Sequence, residues 1–476
     1  MSGWRTMVHD RSEWGAASLV LIAAATVAIV SARSYAGSWN DGSRLAAVES
    51  IVDYHTLTIE RSIFVQVPSR GESTAPPPYP LDEPDLLLYG TRDKILVKGR
   101  FFSSKSPVPI LLMAAVYQGL QWATGLTARA RPDRFIYWMT LLSSGLAYVV
   151  AVWCVFQLGR SLRLTPPVRV GLTASFGLAT VALTYSRHIN NHMLLLGVAA
   201  ALFLGLSRLA EEARAGRVPL LRLAGLGTLT GLGYTIDLGA GPILLVCTLG
   251  LVAYRCQRLR PVAVFALAAL PWLALHHAVN YAVGGTFRPA NAVPAYLQWP
   301  GSPFTPQTIT GTFGRHTVGH FLAYAADLLV GKRGFLGHNL PLFLVPPGLV
   351  LLARGRPREL PEIVHAACVC CGTWLTYALL SSNYSGLAAS IRWFVPLLAP
   401  GYYVLAVVLR DYPCHRRDFL VLSAWGAVIA GVMWWKGPWM KHMVPFYWPL
   451  VAAALLSWIL SWIRRRRMEG RTVARG

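Results

Sequence analysis

Apolar runs of about 17 to 24 residues recur from Ala16 to Ile463, and each is long enough to cross a hydrocarbon core about 30 Å thick. Lipid offers backbone N–H and C=O groups no partners, so helices rather than open sheets must carry such spans. Hydrophobic residues fill 54% of the 476 positions and charged residues only 14%, which leaves no room for a soluble catalytic domain. The polar stretches that remain are residues 33–107, residues 280–337 and short turns. The chain therefore reads as an all-α polytopic membrane protein, a single integral membrane domain (1–476) of about 12–14 transmembrane helices. Ala16–Ala32 lacks an Ala-x-Ala type of cleavage site at its end and reads as a first span, not a leader.

A net charge of +23 raises the question of nucleic acid, but the basic residues sit in inter-span turns and in the tail 464–476. That is the positive-inside pattern, and it marks the run Arg464-Arg465-Arg466-Arg467 as cytoplasmic. Nucleic acid is not an expected partner; membrane lipid is. Working back from the tail, the turns ARGRPRELPE, YRCQRLR, EEARAGR and GRSLRLTPPVR fall in the cytoplasm, while 280–337 and the His-Asn turn 186–192 fall outside. Continuing the alternation puts TARARPDR outside and the 33–107 loop inside, with an odd number of spans. Either a segment between Lys105 and Arg134 doubles back or one span does not cross. The cysteines lie in apolar runs or basic turns, and Cys368-x-Cys370-Cys371 reads as helix packing rather than a metal site.

Nine of the 21 Asp and Glu residues fall between Arg33 and Lys105, and this concentration points to where chemistry is done. Asn40-Asp41-Gly42-Ser43 reads as a turn and helix cap, and Arg44–His55 as a short helix. Leu45, Val48, Ile51 and Val52 recur at helical spacing, so one face is expected on the membrane interface, with Arg44, Glu49 and Asp53 on the other. Thr56–Ile59 reads as extended, Gln66–Pro84 as a mobile Pro-rich stretch, and Asp93–Ser106 as a second ordered piece that delivers Lys105 to the start of the next span. A carboxylate at a membrane surface can deprotonate an acceptor hydroxyl or amine, and Lys or Arg can neutralise a lipid-linked phosphate as it leaves. The structural alternatives are an N-cap for Asp41 and a snorkelling anchor for Lys105.

Three pieces of this loop carry a resemblance: Trp39-Asn40-x-x-Ser43-Arg44, Val52-Asp53-x-x-Thr56-Leu57-x-Ile59, and Asp93-Lys94 ahead of Gly99-x-Phe101-Phe102-Ser103-Ser104-Lys105-Ser106-Pro107. Later pieces are Gly331-Lys332-Arg333-Gly334-Phe335-Leu336 before Asn339-Leu340-Pro341, and Asn383-Tyr384-Ser385-Gly386 before Arg392-Trp393-Phe394-x-Pro396. At these residues the chain resembles the polyprenyl-phosphate-sugar-dependent glycosyltransferases of the GT-C superfamily, of the protein O-mannosyltransferase and aminoarabinose transferase type. The resemblance implies a GT-C-like bundle whose large first extracytoplasmic loop, 33–107, carries interfacial helices and the catalytic base, with 280–337 as a second extracytoplasmic loop. It implies a multi-pass protein of the cell membrane with its active site facing outward. The donor it implies is a polyprenyl-phosphate-linked sugar, and the acceptor a protein, lipid or glycan. Asp41 is carried over as the base, with Asp93, Asp53 and Glu49 as alternatives. Lys105 is carried over as the phosphate residue, although the usual Lys-Pro-Pro reads Lys105-Ser106-Pro107 here.

Arg44 and Arg392 are further candidates for the donor phosphate, as are Arg288, Arg315 and His316 in the second loop. His188 and His192, four apart beside Arg187, read as a polar wall of the site; as metal ligands they lack a nearby carboxylate, and a divalent metal is neither required nor excluded. Asp237 inside an apolar hairpin is either functional or a paired structural carboxylate, and His276-His277 reads as packed in or at the end of its span. A polytopic transporter or flippase for a lipid-linked or polar substrate is the competing reading; it predicts pseudo-symmetric halves, and no internal repeat is evident.

Overall fold

The computed structural model describes residues 2–65, 90–305, 308–309, 317–439 and 443–473, with side chains from Gly15 to Arg464. Helix α1 (Ser2–Ser31) leads to α2 (Trp39–Tyr54), a hairpin of β1 (Lys94–Val97) and β2 (Arg100–Ser103), and α3 (Pro107–Thr124). One long rod follows, from α4 (Pro132–Thr140) through a π-helical turn (Leu141–Gly145) into α5 (Leu146–Ser161). Then come α6 (Pro166–Leu178), α7 (Val181–Tyr185), α8 (Asn191–Arg214), α9 (Leu220–Ile236), α10 (Ala240–Cys256) and α11 (Leu259–Gly284). The last third holds α12 (Val318–Val330), α13 (Val345–Gly355), α14 (Leu360–Leu380), α15 (Leu398–Asp411), α16 (Arg416–Lys436) and α17 (Tyr447–Val473).

Among the described residues seven helices are long and apolar enough to cross a membrane, and Gly15–Ser31, Ala240–Cys256, Val318–Val330 and Leu340–Gly355 are shorter apolar helices. The chain is a polytopic helical membrane protein. Small residues let its helices approach closely. A Cβ on Gly227 or Gly231 of α9 would meet backbone atoms of Phe265 and Ala269 on α11 at 2.1 and 2.6 Å. This is the small-xxx-small contact that packs helices where lipid supplies no hydrophobic drive.

The two ends of the bundle differ. At one end the basic turns knit together through carboxylates: Arg255 with Glu362 at 2.6 Å, Arg410 with Glu359 at 2.7 Å, and Arg214 donating to the Arg358 carbonyl at 3.1 Å. At the other end the tip of α1 meets the turn before α8 (Arg33 N to Arg187 O, 3.1 Å), and α8 meets the end of α9 (Asn191 Nδ2 to Ile236 O, 3.4 Å).

Helix α3 begins and ends at this second face. Ser106, its N-cap, donates to the Thr235 carbonyl near the end of α9. From its far half Tyr117 bonds Asp53 of α2 at 3.0 Å and accepts from Ala128 N at 2.7 Å, while Tyr137 of the following rod bonds the Ile29 carbonyl at the end of α1 at 3.2 Å. The span expected over 108–125 is thus not among the helices long and apolar enough to cross; α3 runs beside α2.

Candidate active site

Ser38 has extended backbone (φ −162°) and caps α2, its hydroxyl accepting from Asp41 N at 3.4 Å. The helix thus starts at Trp39, ahead of the expected Arg44, and Asp41 is its third residue rather than its cap. Ser38 and Asp41 form a capping box: the Asp41 carboxylate accepts from Ser38 Oγ and from Gly37 N, each at 2.9 Å. Gly37 is required here. A Cβ on it would lie 2.7 Å from His188 and 2.9 Å from Trp439. Nor does α2 lie on the interface with one wet face, since residues on all its sides are buried, Arg44 and Glu49 among them. Burial pushes the Asp41 carboxyl up to about 6 against the opposing pull of Arg44, Ser38, Gly37 and Arg392.

The hairpin β1–β2 supplies Lys105. Its turn, Lys98-Gly99, holds positive φ at both residues (51° and 76°), as a two-residue hairpin turn demands. Thr58 bridges to Phe102 beside it, so the extended stretch after α2 joins the hairpin edge. Asp93 receives hydrogen bonds from both Ser104 Oγ and Lys105 Nζ. Burial raises the Asp93 carboxyl, but Lys105 and Ser104 outweigh it and hold the group below its usual range. Burial brings the Lys105 ammonium down to about 8, with Arg44 and Arg392 adding to the fall and Asp93 opposing it.

Arg44 ties the loop to the bundle. Its Nη1 donates to the Asn40 carbonyl at 3.0 Å and its Nη2 to Asn191 Oδ1 at 2.7 Å. Asn191 Nδ2 in turn lies 3.3 Å from Asp237 Oδ2, and His192 Nδ1 lies 3.2 Å from the same oxygen. Asp237 Oδ1 accepts from Tyr377 OH at 2.7 Å and from the Gly239 and Ala240 amides at 2.9 and 2.8 Å. Asp237 is therefore a paired carboxylate, and it belongs to the site. Arg392 follows the 381–391 loop, with its amide held by Ser385 Oγ at 3.2 Å and the next residue, Trp393, stacked on Tyr377 at 4.4 Å. Its Nε is buried and has no hydrogen-bond partner among the described residues. The charges of Asp41, Asp93, Asp237 and Arg392 all act on Arg44, and those of Arg44 and Arg392 on Lys105, so these groups share one cluster.

His188 and His192 sit in this cluster but face different partners: His188 Nδ1 lies 3.8 Å from Asp41 Oδ2, and His192 faces Asp237. Carboxylates distant in sequence thus stand beside each histidine. No group of three or more His, Cys, Asp or Glu able to hold a metal occurs among the described residues. Burial, together with Arg187 and Arg33, holds His188 well below its ordinary value.

The alternative bases lie elsewhere. Glu49 is fully buried, accepting from Ser62 Oγ at 2.6 Å and Ile63 N at 3.1 Å, and it closes the loop behind α2. Asp53 binds Tyr117 and Gln121 of α3. Arg288 is exposed and makes no ion pair among the described residues; Arg315, His316 and Gln66–Pro84 lie outside them. His276 is packed in its helix as expected, buried with its ring 5.9 Å from that of Tyr234, and its Nδ1 lies 3.4 Å from Ser106 Oγ. Sequence reasoning missed the bridging roles of Asn191 and Tyr377. Asn191 stood in a quoted turn, whereas Tyr377 in an apolar helix carried no signal.

Two apolar recesses flank α3. A groove of about 150 Å³ is lined by Pro109, Leu112 and Met113 of α3, Leu194 and Val198 of α8, and Leu232 and Ile236 of α9. Ile236 and Leu194 place it next to Asp237 and Asn191. A cleft on the other side of α3 reaches Ser103 and Lys105, with Ile51, Leu57, Phe102 and Asn280 among its walls.

No protein-family model matches the chain, and no curated protein does. Among solved structures it is similar to ArnT from Cupriavidus metallidurans bound to undecaprenyl phosphate, at 14% identity and a TM-score of 0.48, over 93% of this chain and 75% of that one. The apo state of that ArnT gives 14% identity and a TM-score of 0.49, over 95% of this chain and 76% of that one.

Proposed function

We propose that the chain is an inverting membrane glycosyltransferase of the GT-C type, moving a sugar from a polyprenyl-phosphate donor to an acceptor outside the cytoplasm. The observation that carries this reading is Arg392, a cation whose buried Nε has no hydrogen-bond partner among the described residues and whose charge acts on Lys105 and Arg44, in a cluster that Asp237 and Asn191 join to the apolar groove at Ile236 and Leu194. Phosphate fits such a group of cations, and an isoprenoid chain fits the groove. Asp41 accepts the acceptor's proton as its oxygen attacks the anomeric carbon. The bond from that carbon to the phosphate oxygen breaks, and Arg392, Lys105 and Arg44 neutralise the departing polyprenyl phosphate. Asp93 orients Lys105 instead of serving as base, because Lys105 and Ser104 hold its carboxyl below the usual range, whereas burial raises that of Asp41 to about 6. His192 and Asn191 brace the cluster through Asp237. The loop 33–107 and the segment 280–337 lie outside the cell on this reading, the basic turns and the 464–476 tail in the cytoplasm.

The test is transfer from labelled polyprenyl-phosphate sugars by membranes carrying the wild type, Asp41→Asn, Asp93→Asn or Lys105→Ala. Asp41→Asn is expected to lower turnover by about 10²–10⁴-fold, the usual worth of a positioned base. Lys105→Ala is expected to weaken donor use, and Asp93→Asn to do so less. Transfer that none of the three alters would overturn the assignment of the site.

A further inference from the structure

The loop 381–391 carries the chain from α14 to Arg392, and one of its residues holds a backbone conformation that its side chain does not favour. Ser385 has a φ of 57°, in the left-handed region, and Gly386 follows at 73°. Glycine or asparagine suits such a position, so a serine there needs a reason. Its hydroxyl supplies one. Ser385 is 1% exposed, and its Oγ donates to the Ser390 carbonyl at 3.4 Å while accepting from the Arg392 amide at 3.2 Å. A hydroxyl can do both at once. Glycine and alanine can do neither, and the β-branched threonine is a poor fit to a positive φ.

The amide it serves opens a helix. Arg392–Leu397 is a 3₁₀ segment that runs directly into α15. The first amides of a helix have no partner within it, and a polar side chain just ahead of the helix usually accepts from them. Here the residue just ahead is Ile391, which has no acceptor, and Ser385 takes over the task from across the loop.

The same turn lies beside the charged end of Arg392. A Cβ on Gly386 would stand 3.6 Å from Arg392 Nη2, so the guanidinium passes next to the turn that holds its own amide. The surroundings leave the loop little freedom. Gly386 N bonds Asn383 Oδ1 at 3.0 Å, Ile391 N bonds the Arg333 carbonyl at 3.1 Å, and Tyr185 OH bonds the Ser390 carbonyl at 3.0 Å. Strained backbone persists only where neighbours over-determine it, and it collects at working sites.

We propose that Ser385 is a positioning residue for Arg392, whose hydroxyl fixes the start of the Arg392–Leu397 segment and so aims the guanidinium at the donor phosphate. The inference rests on the donor-phosphate role given to Arg392 above. Ser385 touches no substrate; it acts through Arg392 alone.

Binding of a polyprenyl phosphate to the full chain in nanodiscs, followed by calorimetry, tests this. Arg392→Gln is expected to weaken binding at least tenfold. Ser385→Gly, which takes a positive φ freely but has no hydroxyl, should weaken it about fivefold. Ser385→Asn tolerates the same backbone and keeps an acceptor oxygen, so it should recover part of that loss. In an Arg392→Gln background Ser385→Gly should cost nothing further, whereas in a Lys105→Ala background its fivefold loss should remain. A merely structural role would give the same loss in both backgrounds, and that result overturns the inference. So does a Ser385→Gly chain that binds as the wild type while Arg392→Gln is weakened. An Arg392→Gln chain that binds as the wild type would instead remove the donor-phosphate role of Arg392, and the inference with it.

Discussion

Burial moves the two central charges toward each other on the pH scale, Asp41 up to about 6 and Lys105 down to about 8. A base must be ionised and a phosphate-binding lysine protonated, so transfer should rise with pH through about 6 and fall beyond about 8. Lys105→Arg should remove the alkaline limb, because a guanidinium stays charged there. A flat wild-type profile between pH 5 and 9, measured as kcat/KM for the donor, would contradict these assignments. The sign for stability is the opposite of the usual carboxylate case. The folded chain keeps the Asp41 proton from pH 3.8 up to about 6, where the unfolded chain has lost it. Stability from this group is therefore present below pH 3.8 and declines as pH rises through 6, reaching a cost of about 3 kcal/mol at neutrality. Asp41→Asn is expected to raise the Tm at pH 7.5 while it lowers transfer, and an unchanged or lower Tm would argue against a destabilising buried carboxylate. Asp41 and Arg44 were legible in the sequence because Trp39-Asn40-x-x-Ser43-Arg44 is a local pattern. The link from Arg44 to Asn191 and Asp237 was not, since hydrogen bonds between residues 147 and 46 positions apart leave no periodic trace.

Helix α3 shows what apolarity alone leaves undecided. The run 108–125 is apolar enough to resemble a span, yet Ser106 meets α9 and Tyr117 meets Ala128 at one face of the bundle. Hydropathy measures how apolar a helix is, not whether its two ends reach opposite sides. The π-helical turn was equally hidden. It places Ser144 Oγ 2.9 Å from Asn190 N and so anchors the turn that carries His188 and His192. Cysteine labelling checks the path of α3. Single cysteines at Lys98 and Arg129, both exposed, should react with a membrane-impermeant reagent from the same side, and one at Arg356 only from the other. Reaction of positions 98 and 129 from opposite sides would restore α3 as a span.

At the scale of the whole molecule, the bundle brings together a membrane groove and a polar cluster that neither could form alone. The end of α9 contributes Leu232 and Ile236 to the groove and then, one residue on, Asp237 to the cluster; α8 does the same with Leu194 and Asn191. An amphiphile can therefore keep its chain in apolar surroundings while its headgroup meets Arg392, Lys105 and Arg44. This continuity makes a prediction about chain length. Filling the groove with Val198→Trp should raise the KM for a long polyprenyl-phosphate sugar about tenfold or more, as the added ring displaces a chain whose burial is worth about 0.8 kcal/mol per CH₂. A donor with a short chain that ends before Val198 should be used as by the wild type, since the charged cluster is untouched. Equal losses with both donors would mean that the substitution distorts the site itself, and no loss with either would mean that the lipid runs elsewhere. In the second case the cleft at Ile51, Leu57 and Phe102, which also reaches Lys105, becomes the path to test.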